Sequence, residues 1–281
     1  MTDVSVSHRF GPFSRRLAPL LVIAGTLMLM AFYSATDGSR LAHDHALDGA
    51  DYVGYSVCHR ITDRSFTIAG RQMPLCTRCT GMYLGVSVVF AVLVLAGRRR
   101  WTNMPPLNII LILLGFIALL AIDGINSYSH FFPDLPHAYE PRNWLRLLTG
   151  IGAGLAMGVI LFPALSQTLW RNQEPRPAVG SIRELLGLVL IALLVVTLVL
   201  SEQPALLYVL GLVSAFGVLL VLTAINTTAM LILSHRDARA DRWQQAILPL
   251  TIGLLLAVFQ VALISFIRFM ATGTMTGFPG L

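Results

Sequence analysis

The chain contains no lysine; all 20 of its basic residues are arginine. A bias of this kind follows from codon usage and is not a nucleic-acid signal. Charge as a whole is scarce. Only 12% of the residues are charged and 56% are hydrophobic, whereas a soluble domain carries about 25% charged residues. A soluble fold would have too little polar surface to cover its core. The apolar residues come in blocks and do not alternate, which excludes barrel strands and marks membrane-spanning helices. Several signatures are also missing. The chain has no phosphate-cradling Walker string, no dinucleotide fingerprint after a strand and no serine nucleophile elbow. It has no strand–helix–strand pattern to host a thioredoxin-like domain, and no internal repeat of the kind that builds inverted-repeat transporters. Few ionisable residues fall mid-span, which argues against a proton-coupled carrier.

Seven stretches are long enough to cross roughly 30 Å of hydrocarbon: 17–33, 82–97, 106–122, 145–168, 185–200, 205–232 and 247–270. Glu202-Gln203-Pro204 is the expected turn between the fifth and sixth, because proline and charge are both poor inside a span. The first stretch is expected to be a retained helix. Its apolar run exceeds that of a signal peptide, and Tyr33-Ser34-Ala35 is a poor cleavage site. The connecting segments set the orientation. With the N-terminus inside, the inner segments hold 12 Arg against five acids and the outer ones 8 Arg against nine. Arg98-Arg99-Arg100 and the run Arg236 to Arg242 both fall inside, and the positive-inside rule weighs such short loops most. The expected architecture is therefore an all-α polytopic transmembrane bundle of about seven helices, N-terminus inside and C-terminus outside.

Two outer segments are too long to be simple turns. The first, 34–80, opens with an acidic tract containing His43, Asp44, His45, Asp48 and Asp51. It continues through Cys58-His59-Arg60 and Arg64-Ser65-Phe66 to Pro74-Leu75-Cys76-Thr77-Arg78-Cys79-Thr80-Gly81. All three cysteines of the chain lie here. The second, 123–143, begins Asp123-Gly124-Ile125-Asn126, and the following span opens with Asn143, Arg146 and Thr149-Gly150. These strings together resemble an uncharacterised family of membrane proteins, domain of unknown function 2085, over roughly residues 52–160. The cysteine string is the specific part of the likeness, and Asn126 stands where the resemblance leads one to expect Gln. The family brings no activity with it, so the chemistry has to come from the residues.

Three chemistries suit Cys58, Cys76 and Cys79. Outside the cytoplasm, two of them could form a structural disulfide, although a count of three leaves one thiol over. Cys76-Thr77-Arg78-Cys79 is also a Cys-x-x-Cys at a helix start, where the helix dipole and Arg78 both favour thiolate and hence thiol–disulfide exchange. Finally, Cys58, His59, Cys76 and Cys79 make a complete tetrahedral set for zinc or another thiolate-binding metal such as copper or iron. In one variant of that reading His59 stays off the ion and leaves a position for water or substrate. Arg60, Arg64, Arg71 and Arg78 crowd the loop, either as solvated charges balanced by Asp51 and Asp63 or as an anion pocket. Arg146 either snorkels or pairs with Asp123 across the outer ends of two neighbouring spans.

The site expected from these readings has Cys76, Cys79, Asp123 and Arg146 as its reactive centre, with Arg60, Arg78 and Asn143 available to a cofactor. Asp123 and Arg146 would form its floor and the cysteine loop its lid. Other polar residues have plainer roles. Asn226 and Gln260 suit an interhelical hydrogen bond, Arg268 suits snorkelling, and the Gly150, Gly152, Gly154, Gly158 face suits close helix packing. The chain divides into a cytoplasmic tail (1–16), a membrane domain carrying both outer loops (17–170) and C-terminal helices (171–281). The expected setting is the inner (cytoplasmic) membrane, with the lipid bilayer as partner, no nucleic acid, an open substrate and room for a membrane-complex partner. The function this supports is a metal- or thiolate-centred membrane enzyme or cofactor-handling protein. The alternatives are a thiol–disulfide oxidoreductase, or a transporter or complex subunit with a structural disulfide. A reporter fused after Arg100 or Arg239 should give a cytoplasmic signal, and one after Ala138 or Leu281 an external one; an internal signal at Ala138 would invert the whole assignment.

Overall fold

A computed structural model describes residues 44–130, 132 and 138–274. Among these residues are seven α-helices: α1 (His45–Val57), α2 (Thr77–Leu95), α3 (Leu107–Ser129), α4 (Asn143–Leu169), α5 (Ile182–Leu200), α6 (Pro204–Leu233) and α7 (Trp243–Thr272). Helices α2 to α7 are long and apolar enough to cross a membrane, with mean hydropathy from 1.8 to 2.6. They match six of the seven expected spans. The seventh, 17–33, lies outside the described residues, as do His43 and His137. The expected turn at Glu202 is present: α5 stops at Leu200, Pro204 occupies the first turn of α6 where its missing N–H costs nothing, and Glu202 takes a left-handed conformation (φ 52°) to reverse the chain.

The bundle is built around α4. Its apolar window is 61% buried, against 17% for α3 and for α7. Leucine, isoleucine and phenylalanine cover the outer faces of α3, α5 and α7, among them Leu107, Leu194 and Phe259, as lipid-facing surfaces do. The closest helix pair is α2 on α4, and small residues make it so. A Cβ added to Gly150 would lie 2.2 Å from the carbonyl oxygen of Arg78, and one on Gly154 2.0 Å from that of Met82. Across the contact, a Cβ on Gly81 or Gly85 would lie 2.5 and 2.6 Å from the carbonyl oxygens of Leu147 and Ile151. Of the expected small-residue face, Gly150 and Gly154 therefore make a backbone-to-backbone contact of the kind that membrane helices use, Gly158 meets the Val89 side chain, and Gly152 turns to Phe116 of α3. The expected polar link is present too: Asn226 on α6 and Gln260 on α7 exchange amide hydrogen bonds at 3.0 and 3.2 Å.

Consecutive spans alternate in direction, so the connections gather at two ends. At one end, strand β3 (Trp101–Asn103) pairs in parallel with β4 (Glu174–Pro177). Arg98 bridges to Glu184, and Arg100 donates to the carbonyl of Asp241 at 2.7 Å. Three connections are thereby tied into one polar cap. The other end carries the cysteine segment. Its helix α1 was not foreseen in the acidic tract. At 13 residues it is about 20 Å long, too short to span. It is capped by Asp44, whose side chain accepts from the N–H groups of Ala46 and Leu47. Leu47, Ala50, Gly54 and Tyr55 form its buried stripe, set against α6 and α7.

Substituting Gly154 by Val should lower the thermal midpoint of the detergent-solubilised protein, because overpacking of this kind costs about 1–3 kcal/mol. Gly115→Ala, where nothing lies within 4 Å of the added carbon, should leave it unchanged.

Candidate functional site

The cysteines converge because three local structures place them. Helix α1 ends at Val57, so Cys58 is its C-terminal cap. Arg268 of α7 holds that end through hydrogen bonds to the carbonyls of Tyr55 and Cys58, and its guanidinium lies 4.0 Å from the centre of the Tyr55 ring. A cation at a helix C-terminus is favourable. Arg268 was expected to snorkel; these carbonyls capture it first. After Cys58 the chain bends at Arg60 (φ 52°), bringing the Arg60 N–H to Cys58 Sγ at 3.4 Å. A two-stranded hairpin then follows, β1 (Thr67–Ile68) and β2 (Arg71–Gln72), closed by Ala69 and Gly70, both at positive φ. It returns the chain to Pro74, whose carbonyl presses against Gly54 so closely that an added Cβ would sit 1.9 Å away. Beyond it, Cys76 caps α2 and Cys79 lies in its first turn.

The three sulfurs lie within 4.8 Å of one another, and all three cysteines are free thiols. Cys58 is buried and also accepts the N–H of Cys76 at 3.2 Å. Around the cluster, Val53, Val57, Leu75, Val218 and Leu222 form an apolar wall. The hydrogen bond to Cys76 pushes the Cys58 thiol up to about 11. The same bond, with help from Cys79 and Arg78, holds Cys76 well below its ordinary value. Of the three thiols, Cys76 is thus the one whose thiolate its neighbours favour, and like-charge repulsion opposes a second charge beside it.

Beside Cys76 lies a cavity of about 210 Å³, walled by Arg64, Arg78, Arg146, His59 and Tyr128 among others. The second outer motif supports it from behind. Asp123, 1% exposed, pairs with Arg78 through both the Nε and an Nη. Ser127, one turn on along α3, accepts from Arg78 at 3.0 Å. Tyr139 donates its hydroxyl to the other Asp123 oxygen at 3.0 Å, and burial followed by this bond raises the phenol above its ordinary range. Asn126 holds Tyr139 in place, accepting from the backbone N–H of Ala138 and donating to the carbonyl of Tyr139.

Of the two readings open for Arg146, the ion pair with Asp123 is not formed; Asp123 meets another arginine of the site. Arg78, in the first turn of α2, faces α3 and takes the carboxylate. Arg146 instead donates to Asn143 three residues back on its own helix, at 2.8 Å. The four loop arginines divide. Arg60 and Arg71 are neutralised by Asp51 and Asp48 at 2.7–2.9 Å, whereas Arg64 and Arg78 turn to the cavity. Burial, followed by the neighbouring Arg78, lowers the Arg64 guanidinium from its ordinary value. Of the residues expected to serve a cofactor, Arg78 lines the cavity, while Arg60 does not and Asn143 lies on a separate cleft with Phe66 and Trp144. His59 is exposed on the cavity wall and stands outside the sulfur cluster. The sequence reading missed Ser127, Tyr128 and Tyr139. Ser127 carried a signal, four residues beyond Asp123 on one helix face; the tyrosines carried none.

Residues 58–160 match a family model described as predicted membrane protein, DUF2085. An uncharacterized protein of Methanothermobacter thermautotrophicus is 33% identical over 104 residues, which is 83% of that protein and 37% of this chain. The chain belongs to the DUF2085 family. An uncharacterized protein of Methanocaldococcus jannaschii is 29% identical over 122 residues, 72% of its length and 43% of this chain. No solved structure matches. The DUF2085 match begins at Cys58 and ends inside α4, so it takes in the sulfur cluster, the Arg78–Asp123 pair and Arg146. Helices α5 to α7 lie beyond it.

Removing one partner of a buried ion pair costs about 3–5 kcal/mol. Asp123→Ala should therefore lower the melting midpoint strongly, and Asp123→Asn, which keeps an acceptor for Arg78, should do so less. Equal midpoints for the two variants would show that the charge of Asp123 does not matter.

Proposed function

We propose that this multi-pass membrane protein is a metal-centred enzyme or cofactor-handling protein, with Cys58, Cys76 and Cys79 as the ligands. The observation that carries the reading is the convergence of three free thiols within 4.8 Å. Thiolates tetrahedrally arranged around zinc at 2.3 Å stand about 3.8 Å apart, so small side-chain rotations suffice. Three soft ligands suit zinc or another thiolate-binding metal. Bound there, the ion would supply Lewis-acid chemistry at a fourth position. His59, on the cavity wall, can then act as a proton carrier or as a ligand recruited on binding. The backbone N–H groups of Arg60 and Cys76 donate to Cys58 Sγ, and the apolar wall covers that buried side of the cluster while Cys76 faces the cavity.

We further read the cysteine end as extracytoplasmic, in the inner (cytoplasmic) membrane. The arginines of the opposite polar cap, including Arg98 and Arg100, support this through the positive-inside rule. On the same reading, 17–170 is the site-bearing domain and 171–281 a helical addition. A second reading, thiol–disulfide exchange through Cys76, is favoured by its thiolate character and its place on the cavity wall.

Elemental analysis of the purified protein alongside a thiol count separates the two. The metal reading expects about one equivalent of a transition metal, lost in Cys79→Ser. Metal-free protein with one titratable thiol, and two more after reduction, would overturn it in favour of exchange chemistry.

A further inference from the structure

Arg64, Arg78 and Arg146 come from three separate elements: the turn after Cys58, the start of α2 and the start of α4. All three line one cavity with Cys76. Among the described residues no carboxylate lines it. Asp123, which does not line it, is taken up by Arg78, Tyr139 and Thr149. Arg146 is only 7% exposed, its side chain donates to the neutral amide of Asn143, and its buried Nε has no acceptor among the described residues. A buried guanidinium with an unmet donor and like-charged neighbours is costly unless an anion completes it. The contrast with the loop sharpens the point: Arg60 and Arg71 are given acids by α1, whereas no described acid pairs with Arg146.

We propose that this cavity is a binding site for a phosphoryl group, presented by Arg64, Arg78 and Arg146 to the Cys76 end of the sulfur cluster. The Nε and one Nη of Arg78 are already taken by Asp123, so a ligand in the cavity meets one edge of each of three guanidiniums that come from three directions. A phosphoryl group offers three strong acceptor oxygens and up to about two negative charges. The volume, about 210 Å³, falls below the ~300 Å³ at which drug-sized ligands begin, so the cavity takes the anionic group and leaves the rest of the ligand outside. That group belongs either to a phosphorylated solute or to a lipid headgroup. The inference names the ligand class of the proposed centre and rests on that reading only for what the phosphoryl group is presented to, not for its binding.

The test is equilibrium binding of inorganic phosphate to the full-length protein in a neutral detergent. Saturable binding at about one equivalent is expected. Arg146→Gln and Arg64→Gln should each weaken it about tenfold or more, the loss expected for a hydrogen bond to a charged group. Arg176→Gln, on the opposite cap, should not. Because Arg146 is buried, Arg64→Gln in the loop is the variant that remains informative if the other misfolds, and helical content is checked for both. No saturable binding by the native protein, or native affinity in Arg64→Gln, overturns the proposal. Repeating the titration in nanodiscs assigns the source. Competition by phosphatidylglycerol beyond that of phosphatidylcholine points to a headgroup, and equal affinity in the two points to a solute; either result upholds the site. Protein that binds phosphate but contains no metal upholds this site and sinks the metal reading, whereas metal without phosphate binding does the reverse.

Discussion

The contact on which the site depends is the glycine-lined approach of α2 to α4. With Gly81 and Gly85 facing Leu147 and Ile151, and Gly150 and Gly154 facing Arg78 and Met82, the two backbones touch without side chains between them. This fixes the depth of Arg78 relative to Arg146, since Gly150 meets the Arg78 carbonyl directly. It also fixes where Cys76 and Cys79 stand, because they begin the same helix. Side chains of ordinary size at this crossing would separate the cysteine pair from the arginine of α4, and the cavity would widen into a cleft.

Charge at the site is arranged by pairing each guanidinium according to the element that carries it. The loop arginines 60 and 71 meet Asp48 and Asp51 of α1 and fasten the loop to it. Arg78 meets Asp123, a carboxylate that would be untenable at 1% exposure without a cation and the Tyr139 hydroxyl. Arg146, at 7% exposure, is met by the neutral amide of Asn143, so its positive potential stays at the cavity.

Much of this was legible in the sequence. Length and hydropathy located six described spans, because the bilayer sets one length scale for all of them. The turn at Glu202 followed from proline and charge, and the Asn226–Gln260 bond from two amides at similar depth. The grouping of the two outer motifs followed from helix order. What escaped were choices between equivalent partners. Asp123 could reach Arg78 or Arg146, and only the rotation of α2 about its axis decides for Arg78; hydropathy is blind to that rotation. Helix α1 was hidden because its stripe, Leu47, Ala50, Gly54 and Tyr55, is short and interrupted by acids. Arg268 read as an interfacial arginine because its acceptors are backbone carbonyls more than 200 residues away in sequence, which no side-chain pattern announces.

Arg268 gives the last described helix a mechanical role. It lies on α7, outside the stretch shared with the family, yet its guanidinium grips the carbonyl of Cys58. Cys76 and Cys79 ride on α2, which is locked to α4. A change in the tilt of α7 therefore pulls on one corner of the sulfur triangle while the opposite edge stays anchored. The sulfur triangle is thus shared between two anchorages, α2 for Cys76 and Cys79 and α7, through Arg268, for Cys58.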